Sequence, residues 1–274
     1  MSEPAASPPL ETGWLPTTPV SDSYLRRFLW NWADACAATA RAFGGHVLDT
    51  DAVRLADAGR PGSFSNCATL IQPLTAESAE ATLAQITAFF AFDDPSRSGE
   101  VLLASAWPTG DLRPYGWSLM GHPPVHLLPQ GVPPRATPSG LRIARVSSPD
   151  LLHVWEQTVS RGYPLEGLED APAGALAPPS MLADPHYGAW VGFVEDQPAA
   201  AAAAWAAHGV VNVMMVATLP EARRKGYGEA LTWAASRLDP ALPAMLLSSD
   251  DGRPVYERMG YLPLQRITLW YRSR

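Results

Sequence analysis

From Pro198 to Pro220 the sequence runs without a single Asp, Glu, Lys or Arg. An uncharged stretch of this length can cross a bilayer as one helix, so its assignment decides what kind of protein the chain can be. Two features argue against the membrane. Much of the run is alanine, which is weakly hydrophobic, and His208-Gly209 breaks its centre with the residue types that a tight turn prefers. A hairpin fits instead, with strands Pro198–Trp205 and Val210–Val216 meeting at His208-Gly209. This sets aside alanine's own preference for helix. The override rests on the valine-rich second arm and on a further strand, Trp190–Val194, which reaches the first arm through a turn at Glu195-Asp196-Gln197.

The hairpin leads into Ala217-Thr218-Leu219-Pro220 and then Glu221-Ala222-Arg223-Arg224-Lys225-Gly226-Tyr227-Gly228-Glu229. A helix starts there, with Tyr227, Ala230, Leu231, Ala234, Ala235 and Leu238 on one face, and Asp239-Pro240 ends it. A turn between a strand and a helix start, with glycines at alternate positions, aims several backbone N–H groups at one point. The unpaired donors and the positive end of the helix dipole favour an anion, and phosphate above all. Arg223, Arg224 and Lys225 add charge at the same place. The chain as a whole is acidic, with net charge −7, so no global field draws in a nucleic acid or an anionic membrane. The dinucleotide fingerprint is absent because Leu231 stands where its third glycine belongs, and the P-loop pattern is absent because Gly-Lys followed by Ser or Thr does not occur.

At 274 residues, with 47% hydrophobic and 17% charged residues, the chain has material for two cores. Residues 1–21 read as a flexible tail with no export signal. In residues 22–122 a helix is expected over Asp22–Phe43, with Asp22 as its cap, then a strand at Phe64–Ile71, a helix at Glu77–Phe92 and a strand at Val101–Ala106. Six prolines between Pro123 and Pro138 mark residues 123–138 as a linker. Residues 139–274 then begin with a strand at Leu141–Val146 and a helix opened by Ser148-Pro149-Asp150, followed by a Pro- and Ala-rich loop from Pro164 to Pro179. Cys36 and Cys67 are the only cysteines, and their spacing suggests neither a disulfide framework nor a zinc site; a reducing cytoplasm fits, and no metal is expected.

Arg223, Gly226 and Gly228, after a valine-rich strand and Leu-Pro-Glu, resemble the Arg/Gln-x-x-Gly-x-Gly/Ala signature of the GNAT acetyltransferase superfamily. Met245-Leu246-Leu247-Ser248-Ser249 reads as the next strand, and Tyr256-Glu257-Arg258-Met259-Gly260-Tyr261 resembles the family's Tyr-x-x-x-Gly-aromatic segment. The resemblance implies an α/β (α+β) fold whose mixed, mostly antiparallel sheet is flanked by helices and splays after the Val210–Thr218 strand to admit acetyl-CoA. It implies pantetheine pairing by the backbone of Val216 and Thr218. The pyrophosphate would be held by Arg223, Arg224, Lys225, Gly226, Tyr227 and Gly228, and a lesser coenzyme contact would come from Ser249. Tyr256 matches the tyrosine that protonates the departing thiolate, and strand N–H groups near Val216 would stabilise the oxyanion. The activity implied is transfer of an acetyl group to a primary amine, on a small molecule or a protein; a non-catalytic acyl-CoA sensor is the rival. An oxidoreductase on a dinucleotide fold is disfavoured by the missing glycine. No motif fixes a general base: His208 and Glu195 lie in turns, where a plain turn role is favoured, and Glu166, Glu169 and Asp170 lie in the Pro-rich loop, where a solvated role is favoured.

Leu112-Arg113-Pro114-Tyr115-Gly116-Trp117 echoes Tyr256–Tyr261, with Leu112 where the phenol would be. The layout of the first half thus resembles a degenerate GNAT copy, giving a tandem arrangement, while an unrelated α/β domain is the alternative. Arg41–His46 imitates the glycine motif only by chance, since it follows a helix. A homodimer is compatible with all of this.

Overall fold

The computed structural model describes residues 23–60, 66–94, 99–163 and 172–274. The tail, Asp22, and the acidic residues Glu166, Glu169 and Asp170 lie outside the described residues. The first helix, α1 (Tyr24–Ala42), is capped by Ser23, whose side chain accepts from the Arg26 N–H at 3.2 Å. Its apolar face, including Phe28 and Leu29, is buried. Strands β1 (His46–Asp49), β2 (Val53–Asp57) and β3 (Asn66–Leu70) follow, then α2 (Ala79–Phe90), β4 (Glu100–Ser105), a short 3-10 turn at Arg113–Tyr115, and β5 (Ser118–Gly121).

The stretch expected as a linker departs from that reading. Residues Pro124–Leu128 form a strand, β6, in which every residue is buried. The proline that hides it from sequence inspection sits at its first position, where a strand tolerates the missing N–H. Beyond it come β7 (Leu141–Arg145), α3 (Pro149–Gly162), β8 (Tyr187–Val194), β9 (Gln197–Ala207), β10 (Val210–Thr218), α4 (Tyr227–Ser236), β11 (Ala244–Leu247), α5 (Arg253–Met259), β12 (Leu262–Arg266) and β13 (Thr268–Ser273).

The strands make two mixed sheets, in the orders β1-β2-β3-β4-β13-β5 and β12-β6-β11-β10-β9-β8-β7. Each sheet has one parallel pair, β3 with β4 and β10 with β11, and each parallel pair is bridged by a helix, α2 in the first and α4 in the second. The other pairings are antiparallel. The two sheets also trade a strand. From between the halves, β6 inserts between β11 and β12, and from the end of the chain β13 inserts between β4 and β5. Neither sheet is therefore completed by the contiguous segments 22–122 and 139–274 alone.

The alanine-rich run is a strand, as its valine-rich partner suggests. Ala200 to Ala204 are at most 1% exposed, because α3 covers one face of β9 and α4 the other. Small side chains let both helices approach: a Cβ at Gly192 on the neighbouring strand would meet Leu231 Cδ2 of α4 at 2.8 Å. Both hairpin turns take left-handed dihedrals, with φ 50° and 61° at Glu195 and Asp196 and 51° and 70° at His208 and Gly209. Asn31 of α1 donates its Nδ2 protons among three carbonyls of the second sheet, those of Trp205, Ala207 and Val210, each at 3.1 Å. That contact seats the first half's helix on the second half's hairpin. Among the described residues no helix is long and apolar enough to cross a membrane.

Candidate functional site

The parallel pairing of β10 with β11 ends at Val213 opposite Leu246. Immediately beyond, β10 bulges: its register against β9 shifts between Met214 and Ala217, and Met215 takes φ 52°. Trp155 of α3 donates its indole N–H to the Ala202 carbonyl opposite the bulge at 3.0 Å. The strands thus part at the height of Met215 and Val216, and Val216 and Thr218 lie at the end of β10 beyond this point.

The glycine turn stands at the far end of this opening. Arg224 (φ 63°) and Gly226 (φ 81°) are left-handed, and Gly226 caps α4 without any side-chain acceptor. The N–H groups of Tyr227, Gly228 and Glu229 have no intrahelical acceptor because they form the helix's first turn. A Cβ at Gly228 would meet Thr218 Oγ1 at 2.8 Å, and one at Gly226 would meet Pro138 at 3.3 Å. The turn is therefore a cradle that side chains would fill, which suits a ligand whose phosphates approach the backbone. Arg224 and Lys225 are exposed and make no ion pair among the described residues. Lys225 is also the sequence's single lysine. Arg135 joins the rim, shared between Glu229 at 3.7 Å and the Arg258 carbonyl at 2.9 Å.

Two of the residues expected at the phosphate also serve the fold. The exposed Arg223 guanidinium uses part of its donor set within the fold: Nε donates to the Thr218 carbonyl at 3.2 Å and Nη2 to the Gly162 carbonyl at 3.1 Å. It ties the end of β10 to the C-terminus of α3, where a cation also meets the negative end of the helix dipole. The Tyr227 side chain is buried in the core against α4's neighbours, so only its backbone faces the turn.

Tyr256 lies on α5, just after β11, with its ring 5.8 Å from that of Tyr261 and 6.4 Å from that of His126. Its hydroxyl has no hydrogen-bond partner among the described residues. Burial, with smaller contributions from Tyr163 and Tyr261, pushes its pKa well above the ordinary phenol value, so the side chain stays protonated at neutral pH. Ser249 accepts the Gly252 N–H at 3.1 Å and shapes the turn into α5. His126 is wholly buried and its pKa is lowered, chiefly by desolvation. The strand that carries it was hidden among prolines, so no sequence signal drew attention to it.

A cavity of about 320 Å3 opens beside the bulge. Its walls come from both halves: Trp32 and Cys36 of α1, Trp155 of α3, Asn212 and Met214 of β10, and Ser249 just beyond β11. His208 and Glu195 are not in it. His208 Nε2 sits 2.6 Å from Asp34, and Glu195 is exposed at the tip of the other hairpin. Glu156 is buried, but its carboxylate accepts the N–H groups of Gly174, Leu176 and Ala177 and so builds a loop. A broader depression of about 910 Å3 lies on the first half, along α2 and Tyr115, away from the glycine turn.

The first half repeats the plan without the equipment. The Trp117 N–H donates to the Leu112 carbonyl at 3.3 Å just as the Tyr261 N–H donates to the Tyr256 carbonyl at 3.0 Å, and both helical turns end on a left-handed glycine, Gly116 and Gly260. Leu112 replaces the phenol. The β3-to-α2 connection, Ile71 to Ser78, contains neither a glycine nor a cation.

A mixed sheet that opens after a bulged strand and faces a glycine turn at a helix start is the arrangement of the GNAT acyltransferase fold, and the first half repeats its sheet-and-helix plan without the glycine turn. Residues 152–261 match the family model described as Acetyltransferase (GNAT) family. Among solved structures, a GCN5-related N-acetyltransferase from Kribbella flavida is 22% identical, with 88% of this chain and 95% of that chain covered and a TM-score of 0.63. One from Sphaerobacter thermophilus is 15% identical, covering 81% and 76%, with a TM-score of 0.53. A tandem GNAT protein from the clavulanic acid biosynthesis pathway is 14% identical, covering 89% and 94%, with a TM-score of 0.51. No curated protein matches the sequence. Family and fold together support acyl transfer from an acyl-CoA.

Proposed function

We propose that the protein moves an acetyl group from acetyl-CoA to a primary amine by direct attack in a ternary complex. The observation that carries this reading is the conjunction of the β10–β11 opening with the free donors and free cations of the glycine turn. Arg224, Lys225 and the amides of residues 226 to 228 hold the diphosphate, the backbone of Val216 and Thr218 pairs with the pantetheine, and Ser249 flanks it. Arg223 acts as a brace for that strand end.

The chemistry asked of the protein is modest. The amine nitrogen forms a bond to the thioester carbonyl carbon, and the N–H groups of the bulge near Val216 offer donors to the oxygen that gains charge. The C–S bond then breaks with its electron pair going to sulfur, which takes the Tyr256 proton. The proton lost by the nitrogen restores the tyrosine through water. A tyrosine kept protonated by burial suits this role, since proximity to sulfur matters more than acidity.

The test uses the single lysine. An amine-reactive label reaches only Lys225 and the chain's N-terminal amine, and CoA should protect Lys225. Calorimetry should register CoA uptake by the wild type and a loss of at least tenfold in affinity for Arg224→Glu/Lys225→Glu. Tyr256→Phe should retain CoA uptake yet release free thiol from acetyl-CoA and an amine pool at least tenfold more slowly. Unchanged uptake in the charge-reversed variant would remove the basis for the assignment.

A further inference from the structure

The glycine turn holds the only side-chain primary amine in the sequence. Of its twenty Lys and Arg residues, Lys225 alone is lysine. Lys225 is exposed, makes no hydrogen bond or ion pair among the described residues, and stands directly before Gly226, the cap of α4. Arg224 beside it is exposed and unpaired as well, whereas Arg223 is tied to the Thr218 and Gly162 carbonyls and Arg135 is shared with Glu229. The distinction between the two free cations is chemical. A guanidinium keeps its charge at any physiological pH, while an ammonium can give up a proton and become the nucleophile that acyl donors modify. The unpaired N–H groups of the helix start and the one acylatable side chain therefore fall together within residues 225–229.

We infer that Lys225 is a regulatory acylation site whose donor is a small acyl phosphate docked on the glycine turn. The inference rests on the acetyltransferase reading above and adds a regulation of the same site. The phosphate of such a donor meets the N–H groups of Tyr227, Gly228 and Glu229 and the positive end of α4, as the coenzyme's diphosphate does. Its acyl carbon, joined to that phosphate through one oxygen, is then held beside the lysine, and a bimolecular reaction becomes one within a complex. The unprotonated Nζ forms a bond to the acyl carbon. The bond from that carbon to the phosphate oxygen breaks with its electron pair going to the phosphate, which also takes the proton that nitrogen sheds. The products are N-acyl-lysine and inorganic phosphate. Bound acetyl-CoA does not acylate the same lysine, because its thioester lies by the bulge at the other end of the opening while its diphosphate covers the turn. Coenzyme therefore shields Lys225, and an empty turn exposes it. Acylation removes one of the turn's two unpaired cations, so the modified chain takes up CoA less well. Activity falls where acyl phosphate is abundant and CoA is scarce.

The experiment treats the full chain with acetyl phosphate and follows Lys225 by peptide mass mapping. A synthetic peptide of residues 222–229 with blocked ends, which carries the same lysine without the fold, is treated alongside. Lys225 in the chain should be acetylated at least about tenfold faster than in the peptide, at a rate that saturates with acetyl phosphate. Pyrophosphate and CoA should each abolish that advantage. Calorimetry should show CoA uptake weakened at least about threefold by the treatment. Lys225→Arg keeps the charge and offers no amine there, so its CoA uptake should be the same before and after treatment. Equal rates in chain and peptide, a rate indifferent to pyrophosphate, or a modified chain that takes up CoA as the untreated chain does would overturn the inference. Failure of the untreated wild type to take up CoA at all would instead strike the acetyltransferase reading.

Discussion

The exchanged strand β13 provides the sharpest stability test. The residue that follows it, Arg274, places Nη1 2.8 Å from Asp57 Oδ2 of β2, and the two side chains are only 1% and 2% exposed. Arg274→Met keeps much of the arginine's stem but removes the cation from a buried carboxylate, a change that costs about 3–5 kcal/mol when the partner stays charged. For a chain of this size that corresponds to a fall in Tm of about 6–20 °C. Adding Asp57→Asn removes the stranded charge and should restore at least half of the loss, the signature of coupling between neighbours. Because β13 anchors the first sheet while β6 anchors the second, the loss should spread. Urea unfolding followed by tryptophan fluorescence and by CoA uptake should give coincident, equally shifted transitions. A shift corresponding to less than about 1 kcal/mol, or a first sheet that melts while CoA uptake persists, would refute the argument.

Other outcomes follow from the same geometry. Gly226→Ala forces a side chain into a left-handed position at φ 81° and should cost about 1–2 kcal/mol in urea unfolding while also weakening CoA uptake. Gly140→Ala, at φ 78° in open space outside the turn, should cost a similar amount and leave uptake intact. Asn31→Ala removes the proton donor to three carbonyls and should lower stability by about 1–3 kcal/mol by the same measurement. His126 titrates below its ordinary value in the folded chain, so its neutral form is favoured by the fold. Its contribution is intact above pH 6.5 and is lost as pH falls from there toward the folded value, since the unfolded chain then binds a proton that the native state refuses. Urea midpoints measured at pH 7.5 and 5.5 should converge in His126→Gln relative to the wild type.

The second half was legible because its signals are local. A valine-rich strand, a glycine turn and a helix start adjoin one another in sequence, and each element fixes the next. The alanine strand required a choice against propensity, which tertiary burial between two helices justifies. The phenol's position was readable for the same reason, as was its Leu112 counterpart, since the glycine that ends each turn is demanded by a left-handed φ. What escaped was non-local. Pro124–Leu128 looks like a spacer because its prolines dominate the composition, and its role exists only through pairing with strands more than a hundred residues later. Arg223 reads as a phosphate ligand by charge, and its second tie, to the Gly162 carbonyl sixty-one residues earlier, has no local signal. The cavity's lining residues Trp32, Trp155 and Asn212 belong to three separate segments and carry no motif.

The traded strands bear on how such a chain can change. A gene severed within residues 129–138 would encode two products, the first with a gap where β13 belongs and the second with a gap where β6 belongs. Each would expose raw backbone on both sides of its gap, and each would carry or seek the other's missing piece, so the fragments should re-associate with one another before they fold apart. A deletion that took the first half together with Pro124–Leu128 would also pull a middle strand from the sheet that carries the glycine turn.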